Sequence, residues 1–235
     1  LRDRLDSLQA SKALEQLDYT HEEALLYGQS LAYNQLDRIE QSLNLVNQAL
    51  EQEKNLRSVV RSEPAPLLLK SHQMSLLIRQ RASLNGGVDA MSPIRTRSQL
   101  NEPDQALLAQ LESYLADYSD AYSVKVEYVA GLQSMGLFAE SEAQLRDLLQ
   151  LYRSRPELYD LLAKANLAQG QQAQYHFALA QAYGTRGAYR PAVEQTRLAR
   201  RHAQDDYYLA AEIEALQKKY KQAEENDRRF AENFR

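Results

Sequence analysis

The chain has 235 residues, 44% of them apolar, enough to build one elongated domain or two small ones around a hydrophobic core. Its 28 basic and 32 acidic residues leave a net charge of −4, so there is no global electrostatic drive toward nucleic acid or anionic lipid. The absence of cysteine excludes disulfides and thiolate metal sites, and no apolar run reaches the roughly 18 residues of a membrane span.

Eight glycines and six prolines in a sequence dominated by Leu, Ala, Gln, Glu and Arg indicate helix, because these side chains lose little rotamer freedom there. In chain order, Leu1, Leu5, Leu8, Leu14 and Leu17 recur at helical intervals, and the chain opens inside this stripe, as an internal fragment would. Thr20 and Glu23 read as a capping box for a second helix through Tyr33 toward Leu36. After an Asp37–Arg38 turn, Ile39, Leu43, Val46 and Leu50 mark the returning helix. Residues 62–66, with two prolines, break the pattern, and Leu67 to about Leu84 resume it. Residues 85–103 show no helical period and read as a long loop, the most mobile segment expected.

Beyond that loop the periodicity sharpens. Leu107, Leu111, Tyr114 and Tyr118 share one helix, and Tyr122 to Met135 form the next, ended by Gly136. Helices are then expected over 138–152, over 156–169 with a Ser154/Glu157 capping box, over 171–186, over 189–203, and from near Asp205 onward. The predicted organisation is N-terminal hairpins over 1–84, an irregular loop over 85–103 and a C-terminal array with a capping helix over 104–235.

Gly136 and Gly170 lie 34 residues apart, and Gly187 follows after 17. Tyr183, Gly187, Tyr189 and Ala192 give the fullest local pattern: an aromatic ending one helix, glycine making the turn, a second aromatic opening the next, and a small residue allowing close crossing. Tyr33, Asp37, Ile39 and Ser42 form a looser copy, with Asp37 in the glycine position, and Gly136, Phe138 and Ser141 form a third. Thirty-four residues is the tetratricopeptide period, so the expected fold is all-α, a right-handed solenoid of antiparallel helix pairs. The competing expectation is an irregular helical bundle whose glycines coincide.

Catalytic motifs are not found in this pattern. His21-Glu22-Glu23 begins like the H-E-x-x-H zinc motif, but Leu25 occupies the position of the second ligand. His72, His176 and His202 have no histidine three or four residues away, and there is no G-x-S-x-G elbow. Arg197, Arg200, Arg201 and His202 cluster where cations complement a helix C-terminus. Most of the fifteen tyrosines fall at positions that bury aromatics between helices.

From Tyr152 to Lys219, the run Arg155–Gly170, the segment Ala173–Tyr183, the Gly187 turn and Asp206–Ala215 resemble the C-terminal repeat domain of bacterial zinc metalloproteases similar to the β-barrel assembly-enhancing protease. The resemblance implies a periplasmic accessory domain that docks outer-membrane assembly machinery or misfolded clients for a protease. Any zinc would be held upstream, with no cofactor in this fragment. The alternative is a stand-alone tetratricopeptide scaffold or co-chaperone, and an autonomous hydrolase has no motif to support it. Inward positions expected from repeat register alone are Tyr27 and Asn34 in the first hairpin, Lys164 in the fourth, and Phe177 and Gln181 in the fifth; the expected ligands are proteins or peptides.

Overall fold

The computed structural model describes residues 19–56, 64–84, 94–204 and 206–233. The expected stripe from Leu1 to Leu17, and the first part of the 85–103 segment, lie outside these residues. Among the described residues there are ten α-helices and no strand, an all-α architecture of antiparallel neighbours. The helices are α1 (Tyr19–Gln35), α2 (Ile39–Leu56), α3 (Pro64–Leu84), α4 (Glu102–Asp117), α5 (Tyr122–Ser134), α6 (Phe138–Leu151), α7 (Pro156–Ala168), α8 (Gln172–Thr185), α9 (Tyr189–His202) and α10 (Tyr207–Asn233).

Four of the connections are the same turn. Asp37, Gly136, Gly170 and Gly187 have φ of 57°, 83°, 74° and 75°. The N–H of the following residue, Arg38, Leu137, Gln171 or Ala188, donates to the carbonyl five residues back, on Tyr33, Leu132, Asn166 or Tyr183, at 2.9 Å each time. Each turn residue's own N–H reaches the carbonyl three back. This is the Schellman closure, which satisfies the last carbonyls of one helix while reversing the chain. Asp37 can replace glycine because aspartate tolerates the left-handed region better than most residues, and Arg79 from α3 binds its carboxylate at 3.0 Å.

The described chain divides into two compact units, and one of the divisions falls inside α5. The first unit holds α1 to α4 and α5 through Gly131; the second holds residues 94–101 and everything from Leu132. Bonds from α3 tie α4 and α5 into the first unit. Lys70 pairs with Asp117 at 3.2 Å, Ser75 donates to Glu127 at 3.1 Å, and the Tyr114 hydroxyl donates to the Leu67 carbonyl at 2.9 Å.

In the first unit α1 packs on α2, α2 on α3 and α3 on α4. Leu43, Val46, Ala49 and Leu50 of α2 meet Leu69 and Leu76 of α3 in one buried cluster. In the second unit α6 through α10 each pack on their chain neighbours. Ala173 of α8, Ala199 and Ala203 of α9, and Ala210 and Ile213 of α10 share one core, so three successive helices bury a common face, as stacked hairpins must. Further along the same helices Tyr220 is buried against α8, where a Cβ added at Gly184 would overlap its ring. Burial pushes the Tyr220 phenol up to about 12. The stretch from Lys218 continues α10 as helix to Asn233.

Several boundaries differ from the sequence reading. Pro64 and Pro66 lie in the first turn of α3 rather than before it, and Pro103 lies in the first turn of α4; the missing proline N–H is no loss where helical N–H groups have no partner. Thr20 is inside α1, and α7 begins after Arg155 with no side-chain cap, so neither expected capping box forms at its helix start. Asp206 does cap, its Oδ1 accepting from the Leu209 N–H at 3.0 Å.

The described end of the 85–103 segment is anchored, which corrects the expectation of mobility there. Arg97–Gln99 form a 3-10 turn, Leu100 is buried, and Thr96 N–H donates to Gln99 Oε1 at 2.9 Å. Arg95 N–H bonds to the Gly136 carbonyl at 3.0 Å, and Arg97 pairs with Glu140 at 2.8 Å.

Candidate functional site

One hollow of about 400 Å³ opens in the second unit. Its walls come from helical faces spaced at three and four residues. On the first wall are Arg146, Leu149, Gln150 and, just past the end of α6, Arg153. Tyr159, Leu162 and Asn166 come from α7, Gln174, Phe177 and Gln181 from α8, and Leu209 and Glu212 from α10. The hollow therefore takes side chains from four helices, the consecutive α6, α7 and α8 and the later α10. Gly170 and Gly187 stand only one helix apart, so α7 and α8 cannot both hold the first place in a pair.

The lining combines apolar contact with unspent hydrogen-bonding capacity. Leu149, Leu162, Phe177 and Leu209 supply the apolar part. The side-chain amides of Gln150, Gln174 and Gln181 make no hydrogen bond among the described residues. Asn166 is 2% exposed, and its buried Oδ1 has no hydrogen-bond partner among the described residues. Amide capacity left unused at a buried position costs about 1–3 kcal/mol, so its presence beside a hollow has to be accounted for.

The Arg153 position is fixed from below. Tyr159 is buried and its hydroxyl donates to the Arg153 carbonyl at 3.0 Å; burial pushes that phenol up, with the Arg153 charge opposing. Arg146 is held by Glu142, which also accepts from Gln169 at 2.8 Å. Below the first wall, Gln133 donates to Ser141 Oγ at 2.9 Å and to the Leu161 carbonyl at 2.8 Å, joining the end of α5 to α6 and α7.

Of the residues expected from register, Phe177 and Gln181 line this hollow together. Lys164 is half-buried on α7, two residues from both Leu162 and Asn166, and does not line it. Tyr27 and Asn34 belong to the first unit and have partners within it. Tyr27 packs edge-on to His72 with ring centroids 5.5 Å apart, and Asn34 Oδ1 accepts from Arg79. Asn166, Arg153 and Glu212 were not expected. A signal for Asn166 does exist, since the residue four before each turn is Tyr33, Leu132 or Tyr183 elsewhere and a polar Asn here.

A serine–histidine contact is present in the first unit: His72 Nε2 lies 3.0 Å from Ser30 Oγ. Ser30 and Ser42 are both 0% exposed and cross-link α1 to α2, Ser30 Oγ donating to the Ser42 carbonyl at 2.8 Å and Ser42 Oγ to the Ser30 carbonyl at 2.7 Å. A nucleophile with no access to a substrate carbonyl has no chemistry to perform, so this is a buried polar knot at the helix crossing. Burial lowers the His72 pKa, so the folded first unit binds a proton less readily than the unfolded chain, and the stability this contributes is present above about pH 6.5. It is lost as pH falls below that value. Urea melts between pH 7.5 and 5.5 are expected to show stability declining toward the acid end, with a shallower slope for His72→Gln; equal slopes would contradict this.

His176 and His202 stack with centroids 5.7 Å apart, and His176 Nδ1 lies 2.8 Å from Gln195 Oε1. Among the described residues no group of three or more histidine, aspartate or glutamate side chains is placed to hold a metal ion. No described helix is long and apolar enough to cross a membrane.

No family model matches the chain, and no curated protein matches it. Among solved structures, a thermophilic TPR protein of Thermus thermophilus aligns at 13% identity with a TM-score of 0.44, over 83% of this chain and 98% of that one.

Proposed function

We propose that the second unit is a docking module for a segment of another protein. The observation that carries this reading is the four-helix hollow, whose apolar lining is interleaved with amides that make no hydrogen bond within the fold. A few convergent polar groups on an apolar, preformed surface suit recognition of a peptide chain, which offers an N–H, a carbonyl and a side chain at every residue. As a finer proposal, this docking serves a periplasmic zinc metalloprotease engaged in outer-membrane protein assembly and quality control. The support for that step is the resemblance over Tyr152 to Lys219, which contains α7, α8 and α9 and the start of α10.

The test places a photo-crosslinking amino acid at Gln150 or Gln181, which line the hollow from different helices, and at Lys218, an exposed position outside it. In envelope extract the two hollow positions should give adducts with the same protein, and Lys218 none. No adducts, or equal labelling at Lys218, would overturn the docking reading.

A further inference from the structure

The charges around the hollow are placed asymmetrically. Arg146 and Arg153 line the α6 side, and Glu212 lines the α10 side. Arg146 is already paired with Glu142, but among the described residues Arg153 and Glu212 make no ion pair, and both are exposed. Leu162 and Phe177 add apolar side chains to the lining of the same hollow. A charged pair of opposite sign separated by an apolar, amide-lined surface has a direction, and an occupant must match it to avoid placing like charges together.

We infer that the hollow takes an extended partner segment in which an apolar residue is flanked by an acidic residue on the Arg153 side and a basic residue on the Glu212 side. The inference rests on the docking reading and adds the chemistry of the occupant. The apolar residue supplies contact with Leu162 and Phe177. The flanking charges choose among sequences more than they add affinity, because both arginine and glutamate stand at a hydrated rim.

Three fluorescein-labelled peptides with a common Leu-Phe centre test this by anisotropy: one with Glu-Glu before and Lys-Lys after the centre, one flanked by glutamates on both sides, and one flanked by lysines on both sides. The mixed-charge peptide should bind the parent chain about fivefold or more tighter than the other two. Arg153→Glu should transfer the preference to the all-lysine peptide, and Glu212→Lys to the all-glutamate peptide. The double variant should restore preference for the mixed peptide, which can enter in the opposite direction. One order of affinity across every charge variant, or no binding by any peptide, would overturn the inference. Crosslinking from Gln150 and Gln181 would still judge the docking reading separately.

Discussion

Replacing Arg81 with methionine is expected to lower the stability of the first unit by about 3 kcal/mol, read as a loss in urea-melt stability with unchanged secondary structure before the transition. Asp104 is 0% exposed although it is a carboxylate, and Arg81 reaches it with two donors, Nε to Oδ1 and Nη2 to Oδ2, the latter at 2.8 Å. The hydrogen bond to Asp104 is the chief reason the guanidinium holds its proton more tightly than usual. Truncating the arginine leaves a buried charge without its guanidinium, which costs about 3–5 kcal/mol in comparable settings. The lower end applies because Asp104 sits in the first turn of α4, where the helix's unbonded N–H groups favour negative charge. Arg81→Met combined with Asp104→Leu should recover part of the loss, since no unpaired charge then remains. A single-variant loss below about 1 kcal/mol would show that the pair contributes little.

The second large effect belongs to Phe138, which opens α6 and is 0% exposed. Phe138→Ala should cost the second unit about 3–5 kcal/mol, through lost burial and the cavity left behind. Its value as a test lies in a partner substitution. Gln172 occupies the same register, two residues after a left-handed glycine, yet is exposed. Gln172→Ala should change stability by about 0.5 kcal/mol or less. Similar losses at both positions would mean that turn register, and not burial, sets the cost.

The turns are legible in the sequence because the left-handed conformation is a local property of one residue. Gly136, Gly170 and Gly187 announce it by lacking a Cβ, and Asp37 is readable through its aligned neighbours Tyr33, Ile39 and Ser42. Helix starts are harder. Prolines 64, 66 and 103 look like breakers, yet they occupy first turns, where they are tolerated. The site is half legible. Phe177, Gln181 and Lys164 are all expected from repeat register alone; the first two line the hollow and Lys164 does not, because two turns 17 residues apart mean that α7 and α8 cannot both hold the first place in a pair. Arg153 and Glu212 meet around one hollow only because α10 packs back across α8, and no local pattern encodes that approach.

Because each reversal is written into its own few residues, the chain carries natural seams for change in length. Excising the 34 residues from Leu137 to Gly170 would rejoin a helix end to a helix start of matching direction. Cutting the 17 from Gln171 to Gly187 would instead feed α9 into the place of α8 running backwards, and every downstream face would be turned inside out. Insertions and losses that survive selection in such a chain should therefore come in whole pairs.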